Sequence, residues 1–297
     1  FCYYFLYAFP QVFDGVLPVV DVVLEQYYYF QDKLVSVIGE SVFGLGYHEP
    51  IYNSGSGDQL FHYIRLLVLV LLALIAALVW LILGRKYATH NKLLQILIVY
   101  LRYFLGVVLL SYGISKVIPT QMPELSPIQL TQEYGNFSPM GIAWTFMSSS
   151  PAFQIITGLL EVIAALLLFF RRSSTLGALL SVVVLSGVVA FNFCYDIPVK
   201  INSSNYLLVA LLLLLFDRNK LLPLIGYYPR QMQNSETDLF KNKKMWLASR
   251  IFKYAYLLYI SYFFISDTLQ FYKKDIMDRE QHPLYGVYDV TSFVKNN

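Results

Sequence analysis

The sequence predicts an all-α, polytopic transmembrane helix bundle of about seven spans, with an amphipathic helix on its periplasmic surface. Three observations predict it. Hydrophobic residues make up 57% of the 297-residue chain and charged residues only 14%, with a mean hydropathy of +0.53. A soluble domain carries about 25% charged residues, so the apolar surplus must face something other than water. The apolar residues gather into runs close to the length of about 20 that crosses a bilayer as a helix. The basic residues gather in alternate loops between those runs, as the positive-inside rule requires.

Residues 1–9 read as the outer end of a first helix whose beginning is missing. They do not read as a signal peptide, because no basic n-region or small-residue cleavage site accompanies them. Phe1 opens the chain inside an apolar run and Asn297 closes it in a strand-like pattern, so both ends are expected to be truncated. From Pro18, which suits a first helical turn, Val20, Leu24, Tyr27, Leu34 and Ile38 recur at helical spacing. Asp21, Glu25, Asp32 and Glu40 fall on another face, the pattern of a helix lying at a membrane surface. The run Asn53-Ser54-Gly55-Ser56-Gly57-Asp58 reads as a turn ending in an N-cap for the next helix. A phosphate cradle is disfavoured there, since the lysine and preceding strand of a P-loop are absent.

Spans follow at 61–83, 93–118, 151–170, 175–195 and 250–269. A shorter run, 206–216, spans only if Asn202-Ser203-Ser204-Asn205 before it and 217–222 after it complete the length. The loops alternate in charge. The turns at 84–92 and after 170 carry Arg85, Lys86, Lys92, Arg171 and Arg172, and the segment 217–250 is strongly basic. The loop 10–60 carries seven acids against one lysine, Lys33, and the loop 119–150 carries no basic residue. One miscounted helix would break this alternation, so the N-terminal side is read as cytoplasmic and the C-terminus as periplasmic in a bacterial inner membrane. Within the second outer loop, Ser138-Pro139 opens a short apolar stretch to Met147, read as a helix dipping back into the interface, with Trp144 as its anchor. The divisions are 1–60 (end of the first helix, surface helix and loop), 61–220 (bundle), 221–249 (basic cytoplasmic connector), 250–270 (last span) and 271–297 (start of a periplasmic extension). In the last, the β-branched pattern near 283–294 reads as the opening of a β-domain.

Charges in hydrocarbon cost roughly 2.5–3.5 kcal/mol each and persist where they pair or line a cavity. Arg102, Lys116, Glu161 and Asp196 are such positions. Arg102 and Glu161 each lie roughly 13 Å from the inner ends of adjacent antiparallel helices at 1.5 Å per residue, so they are expected to pair. Arg102, Tyr112 and Lys116 share one stripe, and Asn192 and Asp196 are one turn apart. With Gln121 and Lys200 at the mouth, these residues form a polar column from mid-membrane to the periplasm, beneath the helix that carries Trp144. The plainer reading is that paired charges only fix helix register.

Other chemistries find little support. His48, His62, His90 and His282 all lie away from mid-span, which disfavours a bis-histidine haem. Cys2 and Cys194 show no metal-ligand spacing and read as inert thiols, although both fall near the outer side where a disulfide is conceivable. The placement of the basic residues reads as topology and not as a nucleic-acid footprint.

Several motifs carry a family likeness. Tyr112-Gly113-Ile114-Ser115-Lys116-Val117-Ile118-Pro119-Thr120-Gln121, Ser138-Pro139-Met140-Gly141 with Trp144-Thr145-Phe146-Met147, Gly158-Leu159-Leu160-Glu161, and Asn192-Phe193-Cys194-Tyr195-Asp196-Ile197-Pro198-Val199-Lys200 resemble DoxX-like membrane proteins, particularly those of Bacteroidota. The likeness covers about residues 60–220. It implies a four-helix core with the following short helix as decoration. Members of that family include the membrane subunit of a thiosulfate:quinone oxidoreductase and partners in redox or oxidative-stress complexes. This chain departs from the minimal family by its N-terminal helix, surface helix and C-terminal extension, and no thiosulfate-handling residue carries over.

Two readings of function result. In the first, a redox-associated protein holds a quinone or another lipid-like ligand in the polar column, with Lys116, Gln121, Glu161, Asn192 and Asp196 lining it. In the second, the chain is a non-catalytic subunit or assembly partner of a larger inner-membrane complex. Membrane lipids and other inner-membrane proteins are the expected partners, and nucleic acid is not. A transporter is disfavoured by the lack of an inverted repeat or paired Gly/Pro-broken helices.

Overall fold

A computed structural model describes residues 2–9, 18–44, 57–83, 91–221, 242–278, 285–288, 290–292 and 294–295. In chain order the helices are α1 (Cys2–Ala8), α2 (Pro18–Phe43), α3 (Leu60–Leu83), α4 (Asn91–Val117), α5 (Pro127–Thr131), α6 (Pro139–Ser148), α7 (Pro151–Phe169), α8 (Ser174–Cys194), α9 (Lys200–Phe216), α10 (Arg218–Leu221) and α11 (Lys243–Phe271). Among the described residues there is no strand, including those near 285–295 where a β-domain was expected to open. The 53–56 part of the expected turn, the basic residues Arg85 and Lys86, and residues 222–241 of the connector lie outside the described residues.

The protein is an all-helical membrane protein. Four helices, α3, α4, α7 and α8, are long and apolar enough to cross a bilayer. The further spans expected at 1–9, 206–216 and 250–269 fall on α1, α9 and α11. The described helical lengths of the first two are 7 and 17 residues. In α11 the run of lysine, arginine, serine and tyrosine dilutes the apolar character over its 29 residues.

The interior is built by α4, α7, α8 and α9, with Phe104, Leu101, Leu105 and Leu109 of α4 fully buried against Ala164, Ala165 and Leu168 of α7 and Val209 and Ala210 of α9. Glycines set how closely these helices approach. A Cβ on Gly113 would lie 2.8 Å from the Gly158 carbonyl oxygen, and one on Gly158 would lie 2.7 Å from that of Gly113. The α4 and α7 backbones therefore touch at this pair, the small-residue contact that lets membrane helices pack closely. Gly177 of α8 repeats the device against the backbone of Leu167 and Leu168.

Helix α2 packs on the first turns of α3, where Val35 meets Phe61, Ile64 and Val68. Its buried stripe is Leu24, Gln31 and Val35, while Val22, Val23, Tyr29 and Phe30 are exposed, so the helix is apolar on more than the one face expected. The short helix expected at 140–147 is α6, begun by Ser138, whose Oγ accepts from the Gly141 N–H. Ala143 and Met147 turn inward and Trp144 is half-buried. Cys2 and Cys194 are both free thiols, so the conceivable disulfide is not formed.

Candidate polar site between the helices

The Gly113–Gly158 contact fixes what lies one turn further along each helix. Lys116 follows Gly113 by three residues and Glu161 follows Gly158 by three, so both point along the same seam. The Lys116 ammonium donates to both carboxylate oxygens of Glu161, at 2.8 and 2.7 Å, with side chains only 9% and 4% exposed. The Tyr112 ring lies 5.7 Å from the Lys116 nitrogen, near enough for its negative face to support the charge. An unpaired charge here would meet hydrocarbon, so each ion makes the other tolerable.

Arg102 does not pair with Glu161. Its Nε and Nη2 both donate to the Leu168 carbonyl, at 3.1 and 2.9 Å. Leu168 sits in the last turn of α7, where carbonyls lack helical partners and the helix dipole is negative, so a guanidinium from the neighbouring helix caps the end. The expected pairing failed because depth was counted from the inner ends. Helix α4 has 27 residues and α7 has 19, and the excess of α4 lies at its N-terminal end, since Arg102 already meets Leu168 in the last turn of α7. Glu161 is thereby level with the C-terminal third of α4, within reach of a lysine side chain.

The polar column also divides. Asn192 is buried and donates from Nδ2 to Ser203 Oγ at 2.9 Å, joining α8 to α9. Asp196 does not continue that face. It leaves the helix with φ +52°, a conformation aspartate adopts more readily than most residues. Its carboxylate is 82% exposed and pairs with Lys200 at 2.6 Å outside the bundle. Gln121 stays local: its N–H donates to the Ser115 carbonyl at 3.1 Å, and its side-chain oxygen lies 3.5 Å from Ser115 Oγ. Trp144 lies on α6, its carbonyl accepting from Ser148 Oγ. Thus Lys116 and Glu161 are brought together with Tyr112, whereas Arg102, the Asn192–Ser203 link and the Asp196–Lys200 pair are separate features.

Asp58, read as a cap for its own helix, caps another. Its two carboxylate oxygens accept from the N–H groups of Lys200 and Ile201, at 2.7 and 3.1 Å, at the start of α9. The Gly57 N–H donates to the Pro198 carbonyl at 2.7 Å beside it. Helix α9 has no capping side chain of its own, because Val199 precedes it. A carboxylate near a helix start also favours the dipole.

Four features escaped the sequence reading. Gln154 of α7 is 1% exposed, and its Nε2 has no hydrogen-bond partner. It lies two turns from Glu161 on the same buried stripe, and as the lone amide in its span it carried a signal that spacing would have caught. Thr145 Oγ1 on α6 is likewise buried without a partner. The Asn202–Asn205 segment, noted only as polar, receives hydrogen bonds from Tyr7 (3.0 Å to Asn202) and Tyr3 (2.6 Å to Asn205). Arg65 of α3 donates to Gln31 of α2 at 2.6 Å, which passes the bond to Tyr27. These last pairs have no sequence signal, since their partners are far apart in the chain. No group of three or more metal-ligating side chains occurs among the described residues.

The chain is similar to YwoB, an uncharacterized protein of Bacillus subtilis. The two are 32% identical over 128 residues, which is 43% of this chain and 81% of YwoB. No family model matches the chain. No solved structure matches it.

Proposed function

The chain belongs to the same family as YwoB, and we propose that it is an inner-membrane protein that holds the polar head of a quinone or another lipid-like ligand at Lys116, Glu161 and Gln154. The observation that carries this reading is the Gln154 amide, buried on the Glu161 stripe with its donor nitrogen unused. An unmade hydrogen bond at a buried donor costs about 1–3 kcal/mol, which a ligand carbonyl would recover. The ion pair beside it supplies a polar end to an otherwise apolar seam, the arrangement that orients a ligand in a mostly apolar site. The DoxX-like resemblance supports a redox association, since that family includes a quinone-linked subunit. The alternating charge of the loops supports a cytoplasmic N-terminal side and a periplasmic C-terminus. With that orientation, α2 and α6 lie on the periplasmic side.

The test is extraction of lipids and quinones from the purified protein, with native mass spectrometry, for the wild type and for Gln154→Leu. Quinone is expected with the wild type and lost from the variant while the fold is kept. Recovery of no quinone or other ring-bearing lipid from the wild type, with respiratory electron flow unchanged by Gln154→Leu, would overturn the reading.

A second reading, a subunit or assembly partner in a larger membrane complex, is favoured by α3 and α11. Both leave large apolar side chains exposed along much of their length, including Leu74, Leu78 and Ile82 on α3 and Phe252, Leu258 and Tyr262 on α11. Extraction in mild detergent decides here. Stoichiometric co-purification supports it, and a monodisperse single chain counts against it.

A further inference from the structure

At the end of the bundle where α7 gives way to α8, cations converge without a counter-charge among the described residues. Lys253 of α11 lies 4.4 Å from the ring centre of Phe170 and 5.8 Å from that of Tyr254, and among the described residues it makes no ion pair. Arg250, one turn earlier, lies over Trp246 at 4.2 Å and likewise has no acidic partner among the described residues. Arg102 and Arg250 both add positive potential at Lys253. Arg172 follows Phe170 by two residues. The elements packed here offer no acid in return. Helices α4 and α8 contain none, α7 has none beyond Glu161, and α11 has none before Asp267. Asp217, at the end of α9, is taken up by Thr175 Oγ1 at 2.6 Å and Lys220 at 3.0 Å.

We propose that Arg250 and Lys253, beside the end of α7, form a binding site for the phosphate headgroup of an anionic phospholipid. The half-buried position of Lys253 beside aromatic rings keeps its charge partly out of water, so an anion is drawn to it more strongly than to a solvated lysine. The level matches a lipid headgroup, because Phe170 marks the end of the α7 span. Large apolar side chains are exposed on α11 on both sides of Lys253, among them Phe252 before it and Leu258 after it, surroundings that suit a lipid better than a soluble phosphate compound. Basic pockets beside membrane helices are recognised sites for anionic headgroups, at about 1 kcal/mol per cation.

The intact protein would be purified from equimolar phosphatidylglycerol and phosphatidylcholine of matched acyl chains, and the retained lipid measured by native mass spectrometry. Preferential retention of phosphatidylglycerol is expected, falling about fivefold for each of Arg250→Gln and Lys253→Gln. Lys253→Arg should restore it, and Lys33→Gln, on the distant surface helix, should leave it alone. Unfolding temperature is followed for every variant; if Lys253→Gln does not fold, Arg250→Gln and Lys253→Arg decide. Equal retention of the two lipids, or a preference indifferent to these substitutions, overturns the proposal. So does displacement of phosphatidylglycerol by inorganic phosphate alone, which would assign the site to a soluble phosphorylated ligand.

Discussion

Helices α3 and α4 are both long and apolar enough to span a membrane, yet they occupy opposite situations. Of the most apolar stretch of α3, 17% is buried within the protein, against 56% of that of α4. The more hydrophobic helix is the less buried one. In water this would be a paradox, but lipid tails are as apolar as leucine, so an apolar helix gains little by leaving them. What brings α4 inward is its small and polar content: Gly106 under the Phe169 ring, Gly113 on the α7 backbone, and Lys116 on Glu161.

The comparison is tested most severely by removing one ion. Glu161→Leu leaves the Lys116 ammonium buried and unpaired, and is expected to cost about 3–5 kcal/mol in unfolding free energy measured in detergent. Adding Lys116→Met should return most of that loss, because two apolar groups replace two charges at similar volume. If Glu161→Leu alone is as stable as wild type, the pair does not hold the seam and α4 is packed by shape only.

Next in size is the glycine contact. Gly158→Ala places a methyl 2.7 Å from the Gly113 carbonyl oxygen and 2.8 Å from the Lys116 Cβ, so the helices must part. A loss of about 1–3 kcal/mol is expected. Gly187→Ala on α8 meets nothing within 4 Å and should be neutral. Equal effects at the two positions would show that the close approach carries no stability.

How much of this was legible in the sequence follows from the same physics. The spans at α3, α4, α7 and α8 were visible because hydrophobicity over about 20 residues is a one-dimensional property. Lys116 and Glu161 were visible as residues, since a charge in a span is conspicuous. Their pairing was not, because it depends on where α4 and α7 cross. The sequence holds that crossing only as two glycines, Gly113 and Gly158, with no sign of which glycine meets which. Arg102 was misassigned for the same reason, its partner being a backbone carbonyl that no sequence pattern marks. Gln154 was overlooked because it is uncharged, though in hydrocarbon an unpaired amide is also costly.

Asp58 offers a smaller test, at the edge of the packed region. It joins the start of α3 to the start of α9, one of the contacts that tie the peripheral helix to the interior, beside the packing of Leu69 in the main core. Asp58→Ala is expected to cost about 1 kcal/mol, the usual value of a helix cap. Asp58→Asn should retain much of it, since one oxygen still accepts. Protease susceptibility near Gly57 should rise in the alanine variant, and an unchanged cleavage rate there would mean that the tie does not hold the loop.

The smallest effect belongs to α3 itself. Leu74 is 56% exposed on α3. Leu74→Ala opens no cavity between helices. It should change stability by less than about 0.5 kcal/mol, as substitutions away from packed features do. The equivalent truncation in α4, Leu105→Ala at a fully buried position, should cost about 2–5 kcal/mol. A large loss at Leu74 in the purified chain would mean that this face is packed against protein, as in a second copy, and would move α3 from the periphery to an interface. A large loss only in native membranes would point instead to a different partner, because detergent would already have replaced it.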